Sequence, residues 1–97
     1  MIIGILKETL SNESRVALLP SEIKQLNTEN ISFKIEHEAG LGACFSDIAY
    51  EESGATISSN IHQESDVIIK INPPSNDEIE KIKDGSCLIS LINPFMP

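Results

Sequence analysis

Three observations in this sequence predict an α/β fold with a mostly parallel sheet and helices on both faces. Residues 1–6, 67–69 and 87–92 are short, nearly unbroken apolar runs, the mark of strands covered on both sides. Between them lie polar stretches in which apolar residues recur at helical spacing. The connections are long enough for crossovers, which makes the strands parallel and the crossovers right-handed.

The first strand, residues 1–6, leads into a loop too polar to be buried, which carries Arg15. Pro20 suits the first turn of a helix, where its missing N–H costs nothing, and Ile23 and Leu26 follow at helical spacing. Residues 27–30 supply the stop. From 31 to 36 the chain alternates, with Ile31, Phe33 and Ile35 on one face and Ser32, Lys34 and Glu36 on the other. That period of two predicts a strand nearer an edge than the first.

In HEAGLGACFSD, residues 37–47, Gly40 and Gly42 allow a tight turn and Ser46 is placed to cap a short helix containing Ile48, Ala49 and Tyr50. Gly54 stops that helix. Residues 55–61 read as a short polar strand or a connection, and 62–65 lead into the second apolar strand. Asn72, Pro73 and Pro74 force that strand to end. Ser75 and Glu78 stand at capping-box spacing and open a helix with Ile79 and Ile82 on its buried side, ended by Asp84 and Gly85. The last strand, 87–92, is broken by Asn93 and Pro94. No helix follows to cover it, so an incomplete domain is expected, with its cover supplied from elsewhere.

Composition narrows the function. Seven basic against fifteen acidic residues leave a net charge of −8, a surface that repels phosphate backbones and anionic lipid, so neither nucleic acid nor a membrane surface is an expected partner. The sequence has no Trp and only 4% aromatic residues, too few for a base-stacking platform. Cys44 and Cys87 lack the paired spacing of zinc or redox motifs and read as small, reduced, semi-buried residues of a cytosolic chain. His37 and His62 read as solvated loop histidines, with no neighbours at metal-ligand spacing. The apolar opening is too short for a signal peptide, and no stretch approaches the roughly 18 to 20 apolar residues of a membrane span.

Ligands of open parallel sheets sit beyond the carboxyl ends of the strands. Arg15, in the loop after the first strand, is placed either to meet an anion there or to pair with Glu8 or Glu13 and do no more. Lys70 interrupts the apolar run VIIKINPP at the carboxyl end of a buried strand. It either projects into the same crevice or snorkels to solvent. GLG at 40–42 lacks the third glycine of a phosphate cradle and reads as a structural turn; there is no P-loop and no GxSxG elbow. Composition and spacing thus reach an acidic α/β domain with a candidate anion pocket at Arg15 and Lys70.

Read as a set, the residues go further. GILKETLSNESRVALLP, residues 4–20, closely resembles the opening of the alanine dehydrogenase and nicotinamide nucleotide transhydrogenase family, GIxKE followed by NExRVAxTP. HEAGLGACFSDIAYEESGATI, residues 37–57, is similar to that family's glycine pair, acidic residue and closing AGA segment. DVIIKINPPSNDEI, residues 66–79, matches its strand, lysine and proline turn, and LISLINP, residues 88–94, its next strand.

The resemblance implies a Rossmann-like (flavodoxin-like) fold, with residues 1–97 forming the amino-terminal part of the family's first domain. The NAD-binding second domain, with its glycine-rich fingerprint, is absent from these residues. In alanine dehydrogenases the residues matching Arg15 and Lys70 hold the carboxylate and carbonyl of pyruvate, and a histidine at the end of the next strand moves a proton. Here Asn93 stands at or near that place, and an amide cannot shuttle a proton near neutral pH.

The resemblance therefore points to the transhydrogenase alpha-subunit branch, where hydride passes between NAD(H) and NADP(H) with coupled proton translocation. On that reading Arg15 and Lys70 are ligand-pocket residues and no catalytic, cofactor-binding or metal-ligating residue is assigned. NAD and NADP act in the complete complex, and neither is expected to bind these residues tightly. The expected partners are other domains and subunits of the complex, with a homodimer when complete, at the cytoplasmic inner face of the membrane through partner segments. Two alternatives stand beside it: an alanine dehydrogenase fragment, or a non-catalytic anion-binding module.

Overall fold

The computed structural model describes residues 1–8, 13–72 and 75–90. Five strands, β1 (Ile2–Ile5), β2 (Ser32–Glu36), β3 (Thr56–Ser58), β4 (Val67–Lys70) and β5 (Cys87–Ser90), form one sheet in the order β3-β2-β1-β4-β5. Every pairing among them is parallel, and Ile5 lies opposite Ile35 on one side and Ile69 on the other. The helices are α1 (Pro20–Leu26), α2 (Asp47–Glu52), α3 (Ile61–Glu64) and α4 (Asn76–Lys81). The strand order is Rossmann-like, and β1 is central, as its unbroken apolar sequence requires.

Alternation along the strands divides the core into two layers. Ile5, Phe33 and Ile35 join Ile23 of α1 and Tyr50 of α2 on one face. Leu6 and Ile68 join Ile61 of α3 on the other, with Ile82 and Leu88 against them. Gly4 is where the second layer comes closest to the sheet. A Cβ there would fall on the Ser65 hydroxyl and lie 2.7 Å from Ile61 Cγ2, so only glycine lets α3 approach β1 this closely. Tyr50 is fully buried and its hydroxyl donates to the Leu18 carbonyl at 2.8 Å, which fastens α2 to the chain entering α1.

Local signals set the helix starts. Pro20 opens α1, and the Glu22 carboxylate accepts the Leu19 N–H at 2.8 Å. Ser46 caps α2 by accepting from the Ala49 N–H. Ser75 and Glu78 form the expected reciprocal box at α4, with the Ser75 N–H on Glu78 at 3.2 Å and the Glu78 N–H on Ser75 at 3.2 Å.

Several expectations are corrected. Ile79 is 52% exposed, and it is Ile82, just beyond the short α4, that meets the core. Residues 61–64 form α3, with Ile61 its buried residue, where the sequence suggested a short strand or connection leading into β4. His62 therefore sits on a helix with its side chain 16% exposed; His37 is solvent-exposed as expected and bonds Asp47. Cys44 and Cys87 are both exposed rather than semi-buried. β5 is described to Ser90, and its expected continuation to 92 and the break at Asn93 and Pro94 lie outside the described residues, as do Pro73 and Pro74. No helix among the described residues is long and apolar enough to cross a membrane.

Candidate functional site

Because the chain runs outward from β1 to β2 and β3 and then returns to β4, the strand order reverses between β1 and β4. Connections leaving these two strands part in opposite directions at their carboxyl ends and leave a crevice there. A cleft of about 460 Å³ opens at this end, lined by both Arg15 and Lys70 together with apolar side chains that include Val16, Ile69, Ile71 and Ile89. The two cations singled out in the sequence thus face one hollow. Gly42 helps to shape it: a Cβ there would stand 2.9 Å from the Ser14 carbonyl oxygen, so a side chain would push the 37–47 turn off the Arg15 segment.

Neither cation is free. Lys70 does not snorkel; its side chain is 2% exposed and its Nζ donates to Glu8 Oε1 at 3.0 Å, the Glu8 side chain being equally buried. Glu8 also accepts the Ile71 N–H at 2.9 Å, the Asn72 N–H at 3.1 Å and Asn72 Nδ2 at 3.3 Å. Four donors on one carboxylate compensate its burial, which an isolated charge could not survive. The two backbone N–H groups fix Glu8 to the end of β4, and Lys70 then hangs on a group that is itself immobile.

Arg15 is held differently. Its side chain is 66% exposed and the guanidinium grips Glu13 through Nε at 2.9 Å and Nη2 at 2.8 Å, while the Arg15 backbone N–H donates to the same carboxylate at 3.1 Å. Of the two partners that the sequence offered, Glu13 is the one taken. The Arg15 side chain, the Asn72 amide and the Arg15 N–H together hold the Glu13 carboxyl down at about 2, and Glu13 in turn pushes Arg15 above its usual range. Two carboxylates therefore neutralise two cations, and the cleft carries no net charge from these four groups.

An ammonium has three donors, and Lys70 spends one on Glu8, so it keeps hydrogen-bonding capacity at the cleft wall. The Arg15 fork would have to exchange Glu13 for a ligand carboxylate. The segment between β1 and α1 contains no glycine to let a pyrophosphate approach the backbone, and it carries Glu8 and Glu13. Sequence reasoning missed Glu8, Glu13 and Asn72 as site residues. The usable signal was Lys70 itself, since a lysine inside a buried apolar run requires a carboxylate partner.

Residues 4–97 match the family model described as alanine dehydrogenase/PNT, N-terminal domain. The chain belongs to this family. Among its relatives, the NAD(P) transhydrogenase subunit alpha of Haemophilus influenzae is 41% identical over 93 residues, which is 95% of this chain and 18% of that protein. The alanine dehydrogenase of Staphylococcus saprophyticus is 36% identical over 95 residues, 96% of this chain and 26% of that protein. The crystal structure of transhydrogenase from Sinorhizobium meliloti superposes with a TM-score of 0.90 at 33% identity, covering 98% of this chain and 29% of that one. This alanine dehydrogenase/PNT N-terminal domain spans less than a third of the length of each of these relatives, and its Rossmann-like sheet superposes on the Sinorhizobium meliloti structure.

Proposed function

We propose that these residues form the amino-terminal part of the alpha subunit of an NAD(P) transhydrogenase, which passes hydride between NAD(H) and NADP(H) and is coupled to proton translocation through partner segments. The observation that carries this reading is the 41% identity to a transhydrogenase alpha subunit across 95% of the chain. NAD and NADP then belong to the complete protein, in domains beyond these residues, and the described part binds neither tightly. Its partners are the other domains and subunits of the complex, assembled as a homodimer at the cytoplasmic face of the membrane. Arg15 and Lys70 are pocket residues on this reading and take no part in hydride transfer, because the nicotinamides carry that chemistry.

A second reading has one observation in its favour: Arg15 and Lys70 line a single cleft. In an alanine dehydrogenase the guanidinium fork would hold a carboxylate and the ammonium would polarise the adjacent carbonyl. The complete protein carrying this chain separates the two. Incubated with NAD and NADPH bearing deuterium at the transferable position, it should place the label in NADH with neither pyruvate nor ammonium present. No label in NADH, with deuterium recovered in alanine when the same protein is given deuterated NADH, pyruvate and ammonium, would replace the first reading with the second.

A further inference from the structure

One side chain touches both cation–carboxylate pairs. The Asn72 amide nitrogen donates to Glu13 Oε1 at 2.9 Å and to Glu8 Oε1 at 3.3 Å, two carboxylates five positions apart in the β1–α1 segment. No other side chain among the described residues bonds both. Asn72 follows β4 directly after Lys70 and Ile71, so it is anchored to the strand that supplies the lysine. Its own backbone N–H on Glu8, at 3.1 Å, fixes the base of the side chain as well.

We infer that Asn72 is a positioning residue that ties the Arg15–Glu13 pair to the Lys70–Glu8 pair, so that the guanidinium keeps a set placement across the cleft from the ammonium. Glu8 needs no such help, since backbone N–H groups already hold it. Among the described residues, the other bonds to Glu13 all come from Arg15, two positions along the same segment, and such local bonds move with the segment. Among the described residues, the Asn72 amide is thus the bond that joins the Arg15–Glu13 part of this segment to the end of β4. A carboxamide is suited to the place because its NH₂ offers two protons, one for each carboxylate, without adding a third charge. The role goes beyond the choice between the two enzyme readings and stands under either.

The test uses NMR on the protein and two substitutions. Asn72→Ala removes the donor, and Asn72→Asp keeps the shape but turns the donor into an acceptor facing two carboxylates. Both should raise the Glu13 titration midpoint from about 2 by on the order of one unit or more, Asp further than Ala, because the Asn72 bond is the second-largest cause of its depression. Both should also speed solvent exchange of the Arg15 Nε proton. A residue that merely filled space would leave the Glu13 midpoint unchanged in the Ala variant; the Asp variant raises it further by the repulsion of a third carboxylate. In the unaltered protein, which needs no variant to fold, the Asn72 Nδ2 resonances should move with the Glu13 midpoint on acidification. Asn72 Nδ2 signals that ignore the Glu13 titration, or a midpoint unchanged in a natively folded Asn72→Ala protein, would overturn the assignment.

Discussion

Consider removing each half of the buried pair in turn. Glu8→Ala strips the carboxylate from four donors at once, leaving the Ile71 N–H and the Lys70 charge buried without the partner the structure gives them. Breaking a buried ion pair in this way costs about 3 to 5 kcal/mol. Lys70→Met is milder. The Glu8 carboxylate keeps its bonds from Ile71 N–H, Asn72 N–H and Asn72 Nδ2, and the new side chain is of similar length and apolar, so the loss is one charge-assisted bond of about 1.5 to 3 kcal/mol. A domain of this size is stable by about 5 to 15 kcal/mol, so the first change consumes a large share of the whole. Urea unfolding of the two single variants and of Glu8→Ala combined with Lys70→Met completes a double-mutant cycle. The expected outcome is Glu8→Ala well below Lys70→Met, and a coupling between the two positions of about 2 kcal/mol. Equal costs for the singles, or a coupling under about 0.5 kcal/mol, would refute the claim that Glu8 is the fixed member on which Lys70 depends.

Gly4→Ala should cost about 1 to 3 kcal/mol in the same assay, because the new methyl group meets the Ser65 hydroxyl and Ile61 where α3 crosses β1; an unchanged unfolding midpoint would contradict that contact. Stability should fall in acid. Glu13, held at about 2 chiefly by Arg15, contributes fully above its ordinary value of 4.5 and loses that contribution as the pH drops from there through 2. Glu64, lowered by the Ser58 hydroxyl and Lys34, and Asp66, lowered by the Ile2 N–H and Lys83, act in the same direction. Melting temperature against pH should decline more shallowly in Glu13→Gln than in the unaltered protein. At the alkaline end, burial and the nearby Glu22 push the Tyr50 phenol up to about 12, so its contribution is whole below pH 10 and is lost between 10 and 12. Tyr50→Phe should abolish that part of the alkaline decline at a cost of about 1 kcal/mol for the lost bond to Leu18, read by thermal unfolding at pH 7 and pH 11.

Much of the fold was legible because its signals are local. The alternation of Phe33 and Ile35 with polar neighbours, the Ser75 and Glu78 box and the Pro20 helix start each lie within a few residues, and each appears as read. α3 escaped because four residues are too few to display a period of 3.6; only Ile61 marks its buried side. Ile79 misled because apolar spacing says which residues share a face, not how far a short helix lies over its neighbours. At the site, Lys70 announced itself by interrupting an apolar run. The partners did not: Glu8 and Lys70 are 62 positions apart and Asn72 and Glu13 are 59 apart, so no window along the chain contains both members of either contact. Strand order brings them together, and strand order is not written locally. Position along the chain singled out Arg15 and Lys70 and offered Glu8 or Glu13 to Arg15, but nothing local assigned Glu8 to Lys70.

The central claim is that two cations line one cleft with each already bound to its own carboxylate. Scalar coupling across the hydrogen bonds, measured on protein labelled with ¹⁵N and ¹³C, tests it most directly. Correlations should join Lys70 Nζ to the Glu8 carboxyl carbon and the Arg15 guanidinium nitrogens to that of Glu13. A Lys70 ammonium that exchanges freely with water and shows no coupling to Glu8 would contradict the account at its foundation.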